Sequence, residues 1–245
     1  MTPVHLSPFR TYRATRHDDL VPFQLVIEET DLWVAAREDL SHPMADHARL
    51  LRGQIKSYAA VHPEFLTSLE PLAATARDPE IIRRMCRAGQ LTGVGPMAAV
   101  AGTVAQMLGE FFRERSPDLL IENGGDTYLC STRERHIGIL NMPDQAVRLC
   151  VPVSTSEFPC SFCASSAKIG HSLSFGKADL VVVRSRDAAL ADAAATALAN
   201  ALTGAQAMDA VLAQAQRWES LGLDGVFTQC EGKIGVWGKM QLTVM

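Results

Sequence analysis

Apolar residues alternate or cluster over residues 9–15, 22–29 and 31–36, with Glu29-Thr30-Asp31 as a turn between the last two, so the chain is predicted to open on strands. Residues 44–61 carry Leu50, Leu51, Ile55, Tyr58 and Ala59 at helical spacing. Pro63 and Pro71 then bracket a short helical piece over 64–69. A helix over 80–89 sets Ile81, Ile82 and Met85 against Arg83, Arg84 and Arg87, and Gly93-Val94-Gly95-Pro96 ends it and starts another. Residues 97–112 are small and apolar almost all round, the pattern of a central, closely packed helix. Strands follow at 119–122, 127–131, 136–140 and 147–153, then a Ser/Gly-rich loop over 154–177 and a strand at 178–184. Helices at 188–202 and 205–221 precede two closing strands, 225–231 and 234–244, which turn at Glu231-Gly232-Lys233. With no low-complexity linker and no internal repeat, the pattern predicts one α+β domain over residues 1–245.

Bulk properties narrow the function classes. Of 245 residues, 47% are hydrophobic and 20% charged, as in packed globular chains, and the formal charge of −4 argues against a nucleic-acid partner. The densest basic run, Arg83, Arg84 and Arg87, lies beside Glu80 at helical spacing and reads as a solvated helix face. The first residues show no apolar core or cleavage pattern of a secretory signal, and no apolar run approaches the ~20 residues of a membrane span. The expectation is therefore a cytoplasmic protein away from membranes, with its six cysteines reduced and without structural zinc.

Several polar segments interrupt the apolar elements. Glu122-Asn123-Gly124-Gly125-Asp126 reads either as a Gly-Gly hairpin turn or as a carboxylate pair suited to a cation or hydroxyl ligand. Asp192 and Thr196 stand four apart on one predicted helix face and offer hard oxygen ligands of the kind Mg²⁺ takes. They serve equally as a dipole-favouring Asp and a packed Thr, although the surrounding alanines point to an open site. Residues 165–177 gather Ser165, Ser166, Lys168, Gly170, Ser172, Ser174 and Lys177, a plausible phosphate cradle, with His171 as a candidate general acid or base. The free amides of the helix opening at Gly93-Val94-Gly95-Pro96-Met97 offer a weaker anion site. Cys160-Ser161-Phe162-Cys163 supplies too few ligands for structural zinc but matches the spacing of redox or sulfur-transfer thiols.

The order of these blocks carries a resemblance. The run from Val94 to Gly102, then Glu122 to Asp126, Ser172 to Asp179 and Ala191 to Thr196, preceded by Tyr58 and His62-Pro63-Glu64-Phe65, is similar to the ApbE-like (FAD:protein FMN transferase) superfamily, and within it to its uncharacterised cytoplasmic branch. The resemblance implies antiparallel sheets flanked by helices, with Asp192 and Thr196 as metal ligands and Asn123, Gly124, Gly125 and Asp126 lining a flavin site. It further implies Mg²⁺ and FAD as cofactors, a flavin or nucleotide as the small-molecule partner, and an acceptor protein modified on a Thr or Ser. Two departures stand out: a compact 165–177 loop replaces a long insert, and Ala167 stands where related chains favour glycine. Two readings follow. One is a Mg²⁺-dependent enzyme acting on a flavin or other nucleotide diphosphate, with Asp126 and His171 at the chemistry and all these segments on one cleft. The other is a sulfur-handling or binding protein on the same fold, with Cys160 and Cys163 as working thiols.

Overall fold

A computed structural model of the chain describes residues 19–142, 147–166 and 178–244. Two four-stranded antiparallel sheets dominate it. The first orders β1 (Val21–Ile27), β2 (Thr30–Ala36), β3 (Leu119–Asn123) and β4 (Asp126–Cys130) side by side. In the second, β7 (Ser161–Ser165), β8 (Leu180–Ser185), β9 (Leu223–Cys230) and β10 (Lys233–Gly238) are neighbours in that order. A smaller sheet joins β5 (Arg135–Met142), β6 (Val147–Val153) and β11 (Thr243–Val244).

Strand residues alternate between faces, and here both faces are dry. On one, Val34, Ala36, Leu119, Ile121, Tyr128, Cys163, Val181, Val183 and Val226 join a core completed by helices. On the other, Ala35, Leu120, Leu129, Phe162, Val182 and Phe227 join a second core with Val151 and Val153 of the small sheet. The helices covering the first face are α1 (Ser41–Val61), the short α2 (Glu64–Thr67), α3 (Glu80–Thr92), α4 (Val100–Phe112), α5 (Ala188–Ala201) and α6 (Met208–Arg217). This is the expected α+β arrangement of antiparallel sheets flanked by helices. Among the described residues no single helix is long and apolar enough to cross a membrane. Arg83 and Arg87 are exposed, and Arg84 pairs with Glu80 and Glu110, so the basic run is the solvated face expected of it.

The structure departs from the sequence pattern in three places. The segment read as a loop over 154–177 contains β7, whose Ser-Phe-Cys-Ala-Ser run holds a single large apolar residue and becomes a strand by pairing with β8. The helix expected from residue 97 begins as a 3₁₀ turn, Pro96–Ala99, before α4 proper. The closing strand breaks after Gly238, at φ 73°, so that Met240 turns into the second core and β11 joins a different sheet. The strand expected at 9–15 lies outside the described residues.

Candidate functional site

The site lies where the two large sheets meet. β4 and β7 share one antiparallel backbone bridge, in which the Leu129 amide donates to the Cys160 carbonyl (2.8 Å) and the Cys160 amide to the Leu129 carbonyl (3.0 Å). Side chains then take over. The Thr127 hydroxyl donates to the Phe162 carbonyl and accepts from the Phe162 amide, both at 3.0 Å. The Asp126 Oδ1 accepts from the Ala164 amide at 3.1 Å. Continuing this offset sets Asp126 across from Cys163, whose thiol donates to the Ala188 carbonyl at 3.6 Å. Asn123 faces Asp126 across the β3–β4 hairpin, whose two loop residues, Gly124 and Gly125, take φ of 69° and 115°. Both angles are positive, as a two-residue hairpin of this kind requires, which explains the glycine pair. The side-chain amide of Asn123 donates to the Ala101 carbonyl (3.1 Å), which places this face of the hairpin against the start of α4.

Helix α5 closes the site from above. Its first amides are capped, Leu190 by the Asp187 carboxylate (3.1 Å) and Ala188 by the Gln106 side chain (2.7 Å). Its alanines let neighbours approach closely, and Gly102 of α4 meets it without a side chain. A Cβ at Gly102 would come within 2.3 Å of the Ala188 carbonyl oxygen and 2.9 Å of the Asp192 Cβ. The approach brings the Gly102 amide to 2.8 Å from Asp192 Oδ2, so a carboxylate of one helix caps the first turn of another. The alanines around Asp192 do not border open space as expected. Ala191, Ala193, Ala194 and Ala195 are fully buried, and Asp192 is 8% exposed.

Two carboxylates therefore share one enclosed corner. Burial pushes Asp126 up to about 7, opposed by the Ala164 amide and the Cys163 thiol and reinforced by the charge of Glu122. Asp192 is held well above the usual carboxylate range by burial and then by the charge of Asp126, against the pull of the Gly102 and Ala101 amides. No cationic side chain among the described residues offsets either charge. Ser165, on the same face of β7 as Cys163, is 4% exposed, and its hydroxyl has no hydrogen-bond partner among the described residues.

The two thiols of the Cys-x-x-Cys do not face one another. Three residues apart on an extended segment, Cys160 points into the core under the small sheet and Cys163 into the helix-side core. Burial pushes Cys160 up to about 12, and burial followed by the charges of Asp126 and Asp192 raises Cys163 well above the usual thiol range. Neither environment makes a thiolate, which is the reactive species.

Of the residues marked in the sequence, Asn123, Asp126, Ser165 and Asp192 come together. Gly124 and Gly125 form the turn beside them, and Thr196 sits half-buried one helical turn beyond Asp192. The Ser166 hydroxyl is committed to the Asp179 carbonyl (2.6 Å). Lys168, Gly170, His171, Ser172, Ser174 and Lys177 lie outside the described residues. Sequence reasoning missed Thr127, Cys163 as a neighbour of Asp126, and Gly102. Only Gly102 left a trace, as one of two glycines in an apolar helix. Among the described residues no three His, Cys, Asp or Glu side chains are grouped to hold a metal by themselves.

Comparison with known proteins gives a consistent picture. The family model described as "AbpE bacteria" matches residues 13–231. A UPF0280 protein of Archaeoglobus fulgidus is 41% identical over 180 residues, which cover 73% of this chain and 74% of that protein. A UPF0280 protein of Methanocaldococcus jannaschii is 32% identical over 222 residues, covering 89% of this chain and 90% of the relative. Among solved structures, the fold is similar to the flavin transferase ApbE from Vibrio cholerae, with a TM-score of 0.59 at 11% identity over 89% of this chain and 96% of that one. It is also similar to the ApbE protein from Thermotoga maritima, with a TM-score of 0.62 at 10% identity over 88% and 96%. At such low identities the two structural likenesses show the fold alone.

Proposed function

Starting from the fact that this chain belongs to the AbpE bacteria family and has the ApbE-like fold, we propose that it binds a flavin or related nucleotide diphosphate together with Mg²⁺ at the Asp126–Asp192 corner. The observation that carries this reading is the pair of buried carboxylates, both driven upward, with no cation among the described residues to neutralise them. A divalent cation removes that penalty. The donors fit a hard ion: two carboxylates, with the Thr196 hydroxyl one helical turn beyond Asp192. Two carboxylates with a remainder left to water and substrate phosphates is the usual arrangement for Mg²⁺.

Each residue then has a task. Asp192 ties the start of α4 to α5, and Asn123 holds the hairpin against α4. Asp126, raised by burial in the metal-free corner, would give up its proton as the cation binds and then serve as its ligand. Bound Mg²⁺ would supply charge neutralisation of the phosphates and of a departing phosphate group. The finer reading is transfer of a flavin phosphate to a Ser or Thr of an acceptor protein. The flavin transferase of Vibrio cholerae supports it by its name and shared fold. The six cysteines are buried thiols rather than disulfides, which agrees with work in the reducing cytoplasm.

Calorimetric titration of FAD with and without Mg²⁺, on the wild type and on Asp192→Asn, tests the proposal. Asparagine keeps an oxygen for the Gly102 amide, so the fold is spared while the charge is removed. Mg²⁺ is expected to strengthen FAD binding in the wild type and to have no effect in the variant. Equal affinities in all four titrations, or no binding, would reject the flavin reading.

A further inference from the structure

A serine hydroxyl buried without a partner is unusual, because folding strips it of water and returns nothing. Ser165 is in that position, 96% out of solvent by its 4% exposure, on the last residue of β7. Its backbone pairs with Val181 of β8, so the strand itself is in order and only the side chain is left over. Side chains two apart on a strand share a face. Ser165 therefore faces the helices as Cys163 does, and Cys163 lies across from Asp126 with Asp192 acting on it from α5. Asp126 reaches this strand beside Ser165, because its Oδ1 accepts from the amide of Ala164, the preceding residue (3.1 Å). The Ser165 hydroxyl is not bonded to that carboxylate, and a hard cation between the two short side chains would satisfy both.

We infer that the Ser165 hydroxyl is a third oxygen donor to the cation held between Asp126 and Asp192. The inference rests on the proposed cation site and adds to it a ligand from β7, so that the ion is gripped from both large sheets and from α5. The hydroxyl is neutral, hard and without a competing hydrogen bond among the described residues, so it adds coordination without adding to the repulsion between the carboxylates. It also accounts for a serine among apolar neighbours, where alanine or valine would pack without an orphaned group.

The test separates a ligand from a structural group. The wild type, Ser165→Ala and Ser165→Cys are titrated with Mn²⁺, in the presence and absence of FAD, by electron paramagnetic resonance, and each is unfolded in urea with chelator present. Ser165→Ala is expected to be at least as stable as the wild type, since it removes an unsatisfied group. It should nevertheless bind Mn²⁺ about tenfold or more weakly. Ser165→Cys should shift preference from Mn²⁺ to Cd²⁺, with a thiolate–Cd²⁺ absorption absent from both the wild type and the alanine variant. Wild-type Mn²⁺ affinity in Ser165→Ala would overturn the inference and leave the carboxylate site standing. Loss of stability in Ser165→Ala would also overturn it, by showing a structural role. Failure of the wild type to bind Mn²⁺ under either condition would remove the cation site and the inference together.

Discussion

Asp126 and Asp192 were legible in the sequence for a simple reason: an aspartate amid alanines, or beside two glycines between apolar strands, has no apolar task. Their coupling was not legible, because 66 positions of chain separate two side chains that share one buried corner. That coupling sets a pH dependence. The ordinary value for Asp126 is 3.8, and the folded value is about 7. Below pH 4 both folded and unfolded chains hold the proton, and the contribution to stability is fully present. Between pH 4 and 7 the unfolded chain ionises while the folded one does not, so stability falls as pH rises through the folded value. With metal chelated, the pair should lower stability by on the order of a few kcal/mol between pH 4 and 8. Asp118 and Glu157, held below the usual carboxylate range by their hydrogen bonds and arginine partners, act the opposite way at the acidic end. They contribute stability that is present above about pH 4 and lost as pH falls. Urea unfolding from pH 4 to 8 should therefore show a slope in the wild type that flattens in Asp126→Asn. An unchanged slope would mean that the carboxylates are not coupled in the folded protein.

At the level of elements, close approach and borrowed hydrogen bonds do what propensity cannot. Gly102 lets α4 and α5 touch, and Gly102→Ala would drive a methyl group against backbone and the Asp192 Cβ. A loss of about 1–3 kcal/mol is expected by chemical denaturation, with weakened cation binding because Asp192 must move. At the sheet junction, Thr127→Val is nearly isosteric but strands both the amide and the carbonyl of Phe162, for an expected loss of about 1–3 kcal/mol. A neutral valine there would show that water or a shift of β7 satisfies those groups instead. The same junction explains where the sequence misled. Most helices and strands announce themselves by period, as α3 does with Ile81, Ile82 and Met85 against its arginines. β7 does not, because its five residues are strand only by virtue of β8 on one side and Thr127 and Asp126 on the other. Tertiary pairing overrode a local pattern that reads as loop.

Across the whole molecule, the two large sheets form one layer joined by a single backbone bridge and a few side chains, with helices on one face and the small sheet on the other. The α+β class and the order of blocks were open to sequence reading because they depend on local pattern. The joint was not, since it belongs to no single segment. Placing the candidate site on that joint has a consequence for genetics. Asp126 and Asp192 are fasteners between parts of the fold as well as the charged groups of the corner. Selection cannot adjust one role while leaving the other alone. In a growth-based mutational scan, substitutions at Asp126, Thr127, Gly102 and Asp192 would deplete together, through lower protein abundance as much as through lost chemistry. Ser165, which fastens nothing, is the position where abundance and activity should part, with full cellular levels and a failing phenotype.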